Sequence, residues 1–168
     1  MGQRAGLTGR RRPGVERTLP LTPEVILVVE DDPADQKLIK ASLKGLRVPS
    51  DVRTAASAEE ALSLLRSFRD QSGQAGKPDL ILLDLNMPGM GGKEFLKQIK
   101  ADDSLRQIPV VIVTTSSSER DIVDGYALQA AGYVHKPATL DEFKQVMNDI
   151  QDYWFLLCRL PKKEHSPL

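Results

Sequence analysis

The sequence has only one cysteine, Cys158, so it can form no intrachain disulfide, and a reducing cytoplasm is the expected setting. It has no apolar run close to the roughly 20 residues that a membrane-spanning helix needs. The arginines near the N-terminus have no apolar segment behind them, which argues against a secretory signal. Neither sign of charge prevails. The 23 basic and 23 acidic residues give a formal net charge of zero, whereas a dedicated nucleic-acid binder would show a basic excess. No Gly-rich phosphate loop follows the first apolar strand, which weakens a nucleotide-binding reading. There are only two histidines, His135 and His165. Neither lies in the helical context expected of a kinase phosphotransfer site.

Hydrophobic residues make up 40% and charged residues 27% of the 168 positions, the balance of one soluble domain with a real core. Residues 1–22 read as a disordered basic tail with the run Arg10-Arg11-Arg12, and residues 161–168 as a flexible C-terminal tail. The folded unit is expected over 23–160. It opens with a strand from Glu24 to Val29 that ends in Glu30-Asp31-Asp32. Pro33 should start a helix with Asp32 as its N-cap, and Gly45 should stop it. A weaker edge strand at Val52–Ala55 precedes a helix opened by the capping pair Ser57 and Glu60. Gln71 to Gly76 reads as a flexible loop.

Leu80-Ile81-Leu82-Leu83 then reads as a strand buried on both faces. It ends in Asp84, and the chain turns at Asn86-Met87-Pro88-Gly89. A helix from about Lys93, a strand Val110–Val113 ending in Thr114-Thr115-Ser116, and a helix with Ile122, Val123, Tyr126 and Leu128 follow. Gly132-Tyr133-Val134-His135 is a short fifth strand closed by Lys136-Pro137. Thr139 and Glu142 should cap a last helix reaching about Arg159. Five βα units in succession predict an α/β doubly wound parallel sheet, flavodoxin-like, with strand order 2-1-3-4-5.

Four strand ends would bring together Glu30 and Asp31, Asp84, Thr114 and Lys136. Clustered carboxylates repel one another unless a cation joins them. Oxygen ligands without His or Cys suit Mg²⁺, which keeps waters for a phosphate-bearing partner. Thr114 and Lys136 could then hold phosphoryl oxygens while Asp84 acts as nucleophile. The bland readings are a polar strand end for Asp84, a helix cap for Asp31, and a solvated surface residue for Lys136. They weaken because all four positions fall in register.

This set resembles the receiver domain of two-component response regulators over about Glu24 to Leu157. The resemblance implies that Asp84 accepts a phosphoryl group from a phosphohistidine on a sensor histidine kinase. It implies Mg²⁺ ligation by Asp31, Asp84 and the main-chain carbonyl of Asn86, with Glu30 acting through water. Thr114 would bind the phosphoryl group, Lys136 would pair with it, and Tyr133 would turn inward as part of the switch. A cis Lys136–Pro137 bond is also implied. Asp152-Tyr153-Trp154-Phe155-Leu156-Leu157-Cys158-Arg159-Leu160-Pro161 and Asp84-Leu85-Asn86-Met87-Pro88-Gly89 resemble the phytochrome-associated single-domain response regulators. Those form homodimers through the face of the fourth helix, fifth strand and fifth helix. The sequence departs from the family at Gly91, where Asp is usual, and at Ala138, where Phe is common.

In the last helix, Leu140, Phe143, Met147, Ile150, Trp154 and Leu157 follow the spacing of a sheet-facing stripe. Tyr153, Phe155 and Leu156 cannot all share that face. A helix of about 19 residues spans roughly 28 Å and should overhang a strand of roughly 17–20 Å. Its free aromatic end is therefore expected at a dimer interface. With only Pro161 to Leu168 beyond it, output is expected through protein contact, with no nucleic acid and no membrane as partner. A phosphatase of the haloacid dehalogenase type would need a second Asp where Asn86 stands. A pseudo-receiver acting only as a dimeric interaction module is the alternative, though no chemical residue is missing.

Overall fold

The structure is a computed structural model describing residues 22–70 and 76–161. The tails expected at 1–22 and 161–168 and the loop expected from Gln71 to Gly76 fall almost wholly outside those residues. The elements run β1 (Glu24–Val29), α1 (Pro33–Leu43), β2 (Ser50–Ala55), α2 (Ala58–Asp70), β3 (Leu80–Leu83) and α3 (Gly91–Ala101). Then follow β4 (Val110–Thr114), α4 (Glu119–Ala127), β5 (Gly132–His135) and α5 (Leu140–Asp152), with a π-helical turn at Tyr153–Leu157.

The five strands are all parallel, in the order β2-β1-β3-β4-β5. β1, β3 and β4 are apolar on both faces because helices cover both sides of the sheet. One core layer joins Leu27, Ile81, Leu83 and Ile112 to Leu65, Phe95 and Ile99. The other joins Ile26, Val28, Leu80 and Leu82 to Ile39, Leu43, Phe143 and Met147. Alternate residues of each strand thus feed opposite layers. Each fully buried Leu or Ile contributes roughly 1.5–3 kcal/mol, so the central strands are the firmest part of the domain.

The helix starts follow the local chemistry of the sequence. The Asp32 carboxylate accepts the N–H groups of Ala34 and Asp35, with Pro33 next to it in the first turn. Ser57 Oγ accepts the N–H of Glu60, and Glu60 Oε2 reaches back to the N–H of Ala56. Thr139 Oγ1 accepts the N–H of Glu142.

The C-terminal end departs from expectation. The α-helix stops at Asp152 and one π turn follows, closed by the Cys158 N–H on the Tyr153 carbonyl at 2.9 Å. That wider turn rotates the side chains relative to an α-helical continuation. Leu157, placed on the sheet-facing stripe by α-helical spacing, is 61% exposed. Leu140, at the other end of that stripe, is also exposed. Phe155, placed off the stripe, packs with Trp154 against the second core layer. Tyr153 is exposed and Leu156 half-buried.

Candidate functional site

The sheet register aligns the strand exits. Val29 pairs with Leu83, Leu83 with Ile112, and Thr114 with His135. One step further, the Asp84 N–H donates to the Val29 carbonyl, Glu30 N–H to Ala55, and Lys136 N–H to Thr114. Glu30, Asp84, Thr114 and Lys136 are therefore positioned by backbone ladders, and all four are buried. Asp31 stays half-buried beside them, released from capping because Asp32 fills that role.

Lys136 is the centre of the charge arrangement. Its Nζ lies 2.6 Å from Glu30 Oε2, 2.7 Å from Asp35 Oδ2 and 3.3 Å from Asp84 Oδ2. Burial alone would lower the pKa of this ammonium. The hydrogen bonds to Asp35 and Glu30 and the charge of Asp84 outweigh burial and raise it. Glu30 is pushed up to about 7, chiefly by burial. Bonds from Lys136 and the Asp32 N–H pull it back, and the charge of Asp84 raises it further. The Lys136–Pro137 bond is trans, as is every peptide bond among the described residues, so the implied cis bond is not found. Trans is the intrinsically favoured isomer of an X–Pro bond, and in it Lys136 reaches all three carboxylates.

The loop after β3 is held tightly. Asp84 Oδ1 accepts the Asn86 N–H at 3.1 Å. A Cβ on Gly92 would lie 2.5 Å from the Asp84 carbonyl oxygen, so only glycine lets α3 start this close to β3. Gly89, at φ +77°, brings its backbone against Glu59, whose Oε1 accepts the Met90 N–H at 2.9 Å. That carboxyl is held below its usual range by its own N–H and that of Met90.

Thr114 joins the site to α4. Its Oγ1 accepts from Asn86 Nδ2 and from the Ser116 N–H, each at 3.3 Å. Tyr133 is half-buried, and its hydroxyl donates to the Ser116 carbonyl at 3.0 Å. Ser116 Oγ donates to Asp121 Oδ2 at 2.6 Å, and Asp121 with Asp124 pairs with Lys93 of α3.

The structure thus brings together Glu30, Asp31, Asp84, Thr114, Lys136 and Asn86 at one sheet edge, with Tyr133 linked to them through Ser116. Tyr153, Phe155 and Leu156 lie apart, at the end of α5. Sequence reasoning did not identify Asp35, Ser116, Glu59 or Lys93. Asp35 lies in the first turn of α1, where an acid already has a sufficient local reason, so its place in the site gave no separate signal. Ser116 meets it through a local bond to Thr114, and Glu59 and Lys93 only through tertiary contacts.

One carboxylate oxygen each from Glu30, Asp31 and Asp84 lie within 4.8 Å of one another. Three acids so close, one of them pushed up in pKa, fit a hard divalent cation. No helix among the described residues is long and apolar enough to cross a membrane.

A response regulator, Rcp1 from Synechocystis sp., is 34% identical over 139 residues, covering 83% of this chain and 94% of that relative. The structure of the phosphorylated cyanobacterial phytochrome response regulator RcpA superposes with a TM-score of 0.76 at 38% identity, covering 84% of this chain and all of that one. The Mn²⁺-bound form of Rcp1 gives a TM-score of 0.74 at 33% identity, over 83% of this chain and all of that one. The family profile of the response regulator receiver domain matches residues 26–148. With its β2-β1-β3-β4-β5 sheet and its acidic strand ends, the chain belongs to the response regulator receiver domain family.

Proposed function

We propose that the chain works as a single-domain response regulator, taking a phosphoryl group on Asp84 from a phosphohistidine of a sensor histidine kinase. The observation that carries this reading is the placement of Asp84. Its carboxylate is nearly buried, 3.3 Å from the Lys136 ammonium and within the acidic cluster. In the transfer an Asp84 oxygen forms a bond to phosphorus as the N–P bond of phosphohistidine breaks. The imidazole leaves with the electron pair and takes up a proton. Mg²⁺ held by Asp31, Asp84 and the main-chain carbonyl of Asn86, with Glu30 acting through water, would neutralise charge gathering on the phosphoryl oxygens.

Lys136 pairs with one phosphoryl oxygen, and the Thr114 hydroxyl donates to another. Its oxygen is free to go on accepting from Asn86 and Ser116 as it does so, and a shift of Thr114 toward the phosphoryl group draws Ser116 with it. Ser116 carries the Tyr133 hydroxyl bond and the Asp121 bond, so the β4–α4 loop and Tyr133 move together. The chain catalyses only its own phosphorylation and dephosphorylation. The receiver is taken to span 23–160, beyond the matched 26–148, because β1 starts at Glu24 and the last helical turn ends at Leu157.

A phytochrome-type kinase is the proposed donor, supported by the similarity to RcpA, a cyanobacterial phytochrome response regulator. A homodimer through the α4-β5-α5 face and the C-terminal turn is the proposed assembly. Exposed Val123 and Tyr126 on α4, with Tyr153 and Leu157 on the final turn, support it. The cytoplasm is the proposed compartment, in keeping with the single cysteine.

The test is phosphotransfer from an autophosphorylated phytochrome-type histidine kinase carrying radiolabelled phosphate. Label should move to the wild-type chain and not to Asp84→Asn. Equal labelling of both would reject Asp84 as acceptor. No transfer from this kinase class, with transfer from another, would reject the phytochrome assignment alone.

A further inference from the structure

Lys136 uses its three N–H donors on three carboxylates, those of Glu30, Asp35 and Asp84. Two of these belong to the cluster that fits a cation, and Asp35 stands outside it. It also differs in setting. Its side chain is 34% exposed, whereas those of Glu30 and Asp84 are almost fully buried. Asp35 is fixed by α1, because its N–H donates to the capping Asp32 carboxylate and its own carboxylate points back to Lys136. Where a cation draws on Asp84 directly and on Glu30 through water, Asp35 is the one partner of Lys136 on which it makes no claim. When Asp84 carries a phosphoryl group, Asp35 and the phosphoryl oxygens want the same ammonium.

Resting on the phosphoryl-transfer reading of Asp84, we infer that Asp35 is a positioning residue dividing the site's affinity between cation and phosphoryl group. Its negative charge adds to the field that attracts a divalent cation. The same charge, and its 2.7 Å bond to Lys136 Nζ, hold the ammonium back from an anion on Asp84. Removing the charge should therefore weaken one ligand and strengthen the other. An Asp whose only role is to favour the positive end of α1 has no such opposed effect.

The experiment uses the full chain as wild type, Asp35→Asn and Asp35→Glu. Mg²⁺ affinity is measured by calorimetry. Beryllofluoride, which mimics a phosphoryl group on a carboxylate, is then titrated at saturating Mg²⁺ and followed by fluorine NMR. For Asp35→Asn the Mg²⁺ Kd should rise about threefold and the beryllofluoride Kd fall about threefold or more, as expected for one partly screened charge. Asp35→Glu, which keeps the charge, should bring both constants back toward wild type. If Asp35→Asn weakens both ligands, its role is structural and the inference fails. If neither constant moves, it also fails. A wild type that binds Mg²⁺ but no beryllofluoride would reject the phosphoryl-transfer reading itself, and this inference with it.

Discussion

Glu30 holds its carboxyl where water barely reaches, 2% exposed, between Lys136 and Asp84. Its pKa rises from an ordinary 4.5 to about 7 on folding. Between these values the folded protein binds the proton more tightly than the unfolded chain does. Stability from this group is therefore fully present below about pH 4.5 and is lost as pH rises through about 7. Without metal, wild type should lose about 2–3 kcal/mol between pH 5 and pH 8 relative to Glu30→Gln, as read from urea unfolding. A wild-type-minus-variant difference that stays flat with pH would contradict this. The positions of Asp31, Asp84, Thr114 and Lys136 were legible in the sequence because each ends or follows an apolar strand. Asp35 and Ser116 were not, because an acid in a first helical turn and a serine in a loop each have a sufficient local explanation. Only the folded distances show that one bonds Lys136 and the other joins Thr114, Tyr133 and Asp121.

Among the elements, the start of α3 is the most tightly built against the site. A Cβ at Gly92 would fall 2.5 Å from the Asp84 carbonyl oxygen and 2.7 Å from Leu85 Cα, both backbone atoms that cannot swing aside. Gly92→Ala should therefore cost about 1–3 kcal/mol in unfolding free energy and weaken Mg²⁺ binding by displacing the Asp84 loop. A variant with wild-type stability and metal affinity would show that the loop gives way freely. The ion pairs from Lys93 to Asp121 and Asp124 tie α3 to α4. Exposed pairs of this kind contribute only about 0–1 kcal/mol globally, so the expected effect of Lys93→Ala is local. Hydrogen exchange in α4 should speed up while exchange in β3 stays the same. Unchanged exchange in α4 would mean that Ser116 and packing hold it alone. All ten regular elements were legible from apolar spacing and caps. The π turn at Tyr153–Leu157 was not, since YWFLL is apolar at every position and gives no period from which to tell one helical turn from another.

At the scale of the whole molecule, the sheet order follows from five βα units joined by right-handed crossovers, so the sequence was enough to reach it. The proposed dimer is different, because it rests on exposed apolar residues that the fold of one chain leaves uncovered. Val123 and Tyr126 read in the sequence as part of a helical apolar pattern, yet α4 leaves both exposed and buries only Gly125. Replacing Val123 and Tyr153 together by Asp should convert the proposed dimer to monomer in light scattering while leaving Mg²⁺ binding at the strand ends intact. A mass unchanged by the two substitutions would move the interface elsewhere or remove it. The central claim, that this edge of the sheet takes up a phosphoryl group at Asp84, is tested most directly by intact mass after incubation with acetyl phosphate and Mg²⁺. One hydroxylamine-labile phosphoryl group should appear on the wild type and be absent from Asp84→Asn and from wild type treated with a chelator. A wild type that gains none, yet binds Mg²⁺, would contradict the claim and leave a cation-binding interaction module in its place.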